Sequence, residues 1–124
     1  MARPLRVLVV DDEDAIRQTL AEVLQDEGYD VRTAPNGAEA LEIVRAEPLD
    51  AVLLDLMMPV LDGWGFLQAC RDEQICDGTP VVIMSAYQRL AETRADLNVN
   101  ACILKPFELD DVLDAVQAAV RRAA

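Results

Sequence analysis

The chain has 124 residues, 52% of them hydrophobic, with only five glycines and six prolines, and its 23 acidic and 11 basic side chains leave a net charge of −12. That length suits a single domain with one core, and the composition excludes collagen-like, disordered and low-complexity classes. The acidic field repels nucleic acid and anionic lipid. Histidine is absent altogether, which removes Ser-His-Asp and Cys-His catalysis and His-ligated metal sites, so any histidine chemistry must come from a partner. No apolar run approaches the ~20 residues of a membrane span, and the first residues lack a signal-peptide core, so a cytoplasmic location without membrane contact is expected. Cys70, Cys76 and Cys102 are odd in number and lack C-x-x-C spacing, which suits reduced thiols acting as small hydrophobes.

Short apolar runs alternate with helix-period segments along the whole length, the pattern of an α/β domain. Leu5 to Val10 reads as a first strand, and Ile16, Leu20, Val23 and Leu24 mark one face of a helix that stops at Gly28. Asp30 to Ala34 alternates like an edge strand, and Asn36 caps a helix carrying Ala40, Leu41 and Val44. Ala51 to Leu54 is apolar throughout, as a strand buried on both faces requires, and runs into Asp55. A loop with Pro59, Gly63 and Trp64 leads to a short helix carrying Phe66, Leu67 and Cys70. Val81 to Met84 forms a fourth strand ending at Ser85; a weaker helix spans roughly 89–97, with Asn98 in the left-handed conformation after it; Ala101 to Leu104 forms a fifth strand ending at Lys105. Leu109, Val112, Leu113, Val116 and Val120 recur at helical spacing in the last helix. Five βα units joined by right-handed crossovers make a parallel sheet with helices on both faces.

Ligands of such sheets bind beyond the carboxyl ends of the strands. There the sequence collects Asp11 and Asp12 followed by Glu13 and Asp14, then Asp55, Ser85 and Lys105. Asp14 alone is best read as a helix cap or dipole partner. As a set the acids need another account, since two carboxylates about 4 Å apart repel by about 4 kcal/mol at an effective dielectric of ~20. A divalent cation removes that cost, and an all-oxygen donor set selects Mg²⁺, with Mn²⁺ as its substitute; Mg²⁺ in turn points to a phosphoryl group. Lys105, the chain's one lysine, suits a phosphate oxygen as a point charge, and Ser85 is placed to donate to another. Asp55 is the nucleophile candidate, because a carboxylate forms an acyl phosphate without a general base.

Val9-Val10-Asp11-Asp12-Glu13, Leu53-Leu54-Asp55-Leu56-Met57-Met58-Pro59 with Asp62-Gly63 behind it, Met84-Ser85-Ala86 and Leu104-Lys105-Pro106-Phe107 resemble the receiver domain of two-component response regulators nearly end to end. The resemblance implies a doubly wound, flavodoxin-like sheet in the order 2-1-3-4-5. It implies Asp55 as phosphoacceptor, with Asp11, Asp12, Asp55 and the Met57 carbonyl holding Mg²⁺, Ser85 bonding the phosphoryl group and Lys105 pairing with it. The donor would be a phosphohistidine on a sensor histidine kinase or a histidine phosphotransfer protein. The module would not be a classical enzyme; it would signal through the face of the fourth helix, fifth strand and last helix, to a downstream protein, a fused output domain or a second copy in a homodimer. The Lys105-Pro106 bond is expected to be cis.

Four departures stand out. The switch aromatic three residues before the lysine is Cys102, which cannot swing a ring; Val60 stands where such loops commonly carry Gly or a polar residue; Asn98-Val99 replace the usual Gly-Ala; Tyr87 and Met57 occupy positions that tune acyl-phosphate lifetime in the family. Three other readings compete. An aspartyl phosphohydrolase would want an acid at position 57, where Met stands, and a flavin or nucleotide domain would want a Gly- or Ser-rich loop in place of Asp11 to Asp14. A degenerate receiver serving as a binding platform is the remaining alternative.

Overall fold

β1 (Arg6–Val10), β2 (Asp30–Ala34), β3 (Ala51–Asp55), β4 (Val81–Ser85) and β5 (Ala101–Leu104) run parallel, and the sheet order is β2-β1-β3-β4-β5, as the resemblance implies. The computed structural model describes residues 3–75, 78–86 and 101–123. The helix read at roughly 89–97, Tyr87, Asn98, Val99 and Cys76 lie outside the described residues. Among the described residues the helices are α1 (Asp14–Asp26), α2 (Gly37–Ala46), α3 (Gly63–Glu73) and a C-terminal helix, Leu109–Ala123.

Strand alternation divides the apolar side chains into two cores. Leu8, Val10, Val52, Leu54, Val81 and Ile83 face α2 and α3 together with Phe66 and Cys70, while Val7, Val9, Ala51, Leu53, Val82 and Met84 face α1 and the C-terminal helix with Leu20, Leu24 and Val116. β1 beyond Arg6, all of β3 and all of β4 are buried, which is why these segments read as unbroken apolar runs. Each fully buried Leu, Val or Phe contributes about 1.5–3 kcal/mol relative to exposure, so the central strands are fixed frames for whatever stands at their ends.

Local signals set the element ends. Gly28 takes φ +95 after α1, the left-handed step that only glycine adopts freely. Asn36 accepts from the Glu39 N–H to cap α2, and Asp62 accepts from the Gly65 N–H to start α3. α3 therefore begins at Gly63, and Trp64 sits in its first turn instead of in the loop where the sequence reading put it. Gly63 is required there: a Cβ would stand 2.7 Å from the Asp55 carbonyl oxygen and 2.8 Å from the Leu56 Cα. α1 begins with Glu13 as N-cap, without a side-chain capping bond, and Asp14 is its first-turn acid, so of the two roles read for Asp14 it takes the dipole one.

Candidate functional site

β1 and β3 are neighbours with Val10 opposite Leu54, so Asp11, one residue past β1, and Asp55, the last of β3, come out side by side. Asp11 is fully buried and Asp55 is 3% exposed, while Asp12 turns outward. One carboxylate oxygen from each of Asp11, Asp12 and Asp55 lies within 4.8 Å of the other two. From the other side of β3, β4 and β5 end in register at Ser85 and Leu104, and the Lys105 N–H donates to the Ser85 carbonyl at 2.8 Å. The Lys105-Pro106 bond is cis, as expected. Lys105 Nζ donates to Asp11 Oδ2 at 2.9 Å and Asp55 Oδ2 at 3.3 Å, and lies 3.8 Å from Glu13 Oε1.

The electrostatics follow from burial in a crowd of acids. Loss of water around Asp55 raises its pKa to about 6, with the Asp11 charge adding to the rise; the Met57 N–H, which donates to Asp55 Oδ1 at 3.1 Å, and Lys105 oppose it. Burial works against the Lys105 ammonium, but its hydrogen bond to Asp11 and the charges of Asp11 and Asp55 outweigh it, and its pKa stands above the ordinary lysine value. One ammonium facing three carboxylates leaves the site short of positive charge.

The donor set fits a hard divalent ion. Mg²⁺ binds oxygens at about 2.0–2.1 Å and so tolerates ligand oxygens ~3–4 Å apart, usually keeping several waters; three carboxylates within 4.8 Å, one of them on the solvent side, provide a partial cage of that kind. Four of the side chains singled out in the sequence, Asp11, Asp12, Asp55 and Lys105, are thus brought together. Ser85 is buried at the end of the strand next to Asp55. Met57 engages Asp55 through its amide. Its side chain is 53% exposed beside the site, and the Val60 side chain on the same loop is 83% exposed.

Two further contributors are Glu13, which the sequence places at this edge without a role, and Arg17, which went unread. Glu13 adds a third carboxylate within reach of Lys105, after Asp11 and Asp55, a role that its adjacency to Asp12 hinted at. Arg17 donates from Nη1 to the main-chain carbonyl of Asp11 at 2.8 Å and from Nη2 to Asp14; its signal was a basic residue in the first turn of a helix, where the dipole disfavours one. At the opposite, amino edge of the sheet a cavity of about 500 Å³ is lined by Arg45, Glu47, Leu49 and Thr79 among others, remote from these groups.

Comparison with known proteins agrees with the fold. A family profile described as the response regulator receiver domain matches residues 7–117. The response regulator MprA of Mycolicibacterium vanbaalenii is 39% identical over 122 residues, 96% of this chain and 52% of MprA; the chain spans about half the length of the curated relatives it matches. Among solved structures, the receiver domain of the Francisella response regulator 1452 is 30% identical with a TM-score of 0.88, covering 97% of this chain and 99% of that one. The response regulator TrrA of Thermotoga maritima, solved in complex with Mg²⁺ and BeF, is 32% identical with a TM-score of 0.81, covering 93% of this chain and 98% of that one. No helix among the described residues is long and apolar enough to cross a membrane.

Proposed function

The chain belongs to the response regulator receiver domain family of two-component signalling, and from that premise we propose that it is a phosphoacceptor module whose phosphorylated residue is Asp55. The observation that carries this reading is the single buried carboxylate at the end of β3 that shares Lys105 Nζ with Asp11 and sits within 4.8 Å of two further carboxylates. Asp11, Asp12, Asp55 and the Met57 carbonyl would hold Mg²⁺, a role supported by the oxygen-only donor set and by the likeness to TrrA, which was solved with Mg²⁺ and BeF. When bound, Mg²⁺ offsets the carboxylate charge and that of phosphoryl oxygens.

The chain's own groups do the rest. An Asp55 carboxylate oxygen attacks the phosphorus of a phosphohistidine; the new O–P bond forms as the N–P bond breaks, and the partner's imidazole leaves with that electron pair and takes a proton. Lys105 moves its ammonium from the Asp55 carboxylate to the phosphoryl oxygens, keeping its hydrogen bond to Asp11, and Ser85 donates to another phosphoryl oxygen. Water later hydrolyses the acyl phosphate, releasing phosphate and regenerating Asp55. The donor is a sensor histidine kinase or a histidine phosphotransfer protein, consistent with a chain that has no histidine of its own. Output runs over β5 and the C-terminal helix, where Leu104 and Leu109 are exposed and Cys102 stands in place of a switch aromatic.

Intact mass after incubation with acetyl phosphate and Mg²⁺ tests the reading. The expected result is a gain of one phosphoryl group that disappears with EDTA and in Asp55→Asn. An adduct that survives in Asp55→Asn, or none in the wild type, rejects Asp55 as the acceptor.

A further inference from the structure

We propose that Arg17 is a positioning residue of the acidic site, clamping the Asp11–Asp12 peptide so that the Asp12 carboxylate is held ready for a divalent cation. The proposal rests on the reading of Asp11, Asp12 and Asp55 as metal ligands. Asp12 makes no hydrogen bond or ion pair among the described residues, so the direction of its side chain is set by the backbone on either side of it. Two contacts fix that backbone. The peptide leading into Asp12 is held by the Arg17 guanidinium, which donates to the Asp11 carbonyl oxygen at 2.8 Å. The peptide leading out is held by Asp11 Oδ1, which accepts the Glu13 N–H at 2.9 Å.

Nothing else explains the arginine's location equally well. It lies in the first turn of α1, where a cation opposes the helix dipole, and its side chain is only 16% exposed. Asp14 pairs with the second arm of the guanidinium, and an exposed i,i+3 pair is worth only a few tenths of a kcal/mol to a helix. The fork geometry of arginine lets one arm be anchored by Asp14 while the other grips the carbonyl. The Arg17 hydrogen bonds reach Asp11 only through the main chain, so the effect on the metal is one of aim, carried through the peptide.

This mechanism has a sign opposite to simple electrostatics. A fixed positive charge beside a cation site weakens metal binding, so by the field alone its removal tightens Mg²⁺; as a clamp, its removal loosens Mg²⁺. Calorimetric Mg²⁺ titrations of the wild type, Arg17→Met, Arg17→Lys and Asp14→Ala decide between them, with Asp12→Ala as the reference for a broken site and circular dichroism as the check on folding. Arg17→Met is expected to bind Mg²⁺ roughly fivefold to tenfold more weakly, the scale of losing one ordinary hydrogen bond. Arg17→Lys, whose ammonium can donate to the same carbonyl, should recover most of that loss even if the methionine variant folds poorly. Asp14→Ala should stay within about twofold of wild type, since the grip on the carbonyl remains. Unchanged or tighter binding by Arg17→Met, or a lysine variant no better than methionine, overturns the proposal. A wild type that binds no Mg²⁺ overturns the metal-site reading and this proposal together, whereas normal wild-type binding lost in Asp12→Ala but kept in Arg17→Met removes this proposal alone.

Discussion

Asp55 carries opposing demands, since a nucleophile needs its charge and burial at 3% exposure penalises that charge. Its pKa of about 6 in the folded chain, against 3.8 ordinarily, has a definite consequence for stability in metal-free buffer. Below about pH 4 the group is protonated folded or unfolded and contributes nothing. As pH rises from about 4 to about 6 the unfolded chain gives up the proton while the folded chain keeps it, so the native state binds more protons and stability falls. Above about pH 6 the penalty is complete, on the order of 3 kcal/mol for a shift of this size. Asp55→Asn cannot ionise. Urea unfolding in EDTA across this range should therefore show the Asn variant gaining on wild type with rising pH and levelling off above about pH 6. A gain that shrinks with rising pH would mean that the ion pair to Lys105 outweighs desolvation, contrary to the direction of the shift.

The loop from β3 to α3 shows how an element can contradict its residue type. Val60 has φ 70, and the Leu61 N–H donates to the Pro59 carbonyl at 2.8 Å, closing a three-residue turn of the rare, strained hand around a β-branched side chain. The turn is held in place by its neighbours: the Leu61 carbonyl accepts from the Gly37 N–H at 2.8 Å at the start of α2, and Asp62 caps α3. Strain of this kind costs about 1–3 kcal/mol, glycine gives back about 0.4–1 kcal/mol in unfolded-chain entropy, and the Val60 side chain, 83% exposed, has little packing to lose. Val60→Gly should be more stable by about 1 kcal/mol, a rise of roughly 3–5 °C in melting temperature for a domain of this size; no rise would show that the turn is unstrained. The same loop marks where the sequence stops being legible. Strands, their ends and the gathering of Asp11, Asp12, Asp55 and Lys105 were readable, because buried runs show as uninterrupted apolar residues and a parallel sheet aligns its carboxyl ends. The start of α3 at Gly63 was missed because Asp62-Gly63 serves a turn as well as a cap, and the left-handed Val60 because valine argues against it. Arg17 was invisible as a site residue because three positions after Asp14 it reads as a surface ion pair; its bond to the Asp11 carbonyl exists only once the chain has turned from β1 into α1.

Over the whole molecule the charges are unevenly matched. At the amino edge of the sheet arginines and acids interlock, Arg3 with Asp50, Arg6 with Asp30, Arg32 with both Asp30 and Glu47, and the hydrogen bonds from Arg32 and Arg6 hold the Asp30 pKa below its ordinary value. At the carboxyl edge Asp11, Glu13 and Asp55 face Lys105, the Asp12 carboxylate stands beside them, and the chain as a whole carries −12. Such an excess repels itself more in the compact state than in the expanded one. Monovalent salt should therefore stabilise the fold, although it weakens exposed pairs such as Arg3–Asp50, because each of those is worth only about 0–1 kcal/mol. Raising NaCl from about 10 to about 150 mM, which shortens the screening length from ~30 to ~8 Å, is expected to raise the melting temperature of the wild type. MgCl₂ at matched ionic strength should raise it further, since binding to the folded state alone adds RT ln(1 + [Mg²⁺]/Kd). Asp12→Ala separates the two terms: it should keep the NaCl increment, which belongs to the field of the whole molecule, and lose the extra Mg²⁺ increment, which belongs to three carboxylates. A wild type whose melting temperature falls with NaCl would show that the interlocked pairs outweigh the excess charge. Equal increments from both salts would show that the carboxyl edge attracts Mg²⁺ only as diffuse counterion.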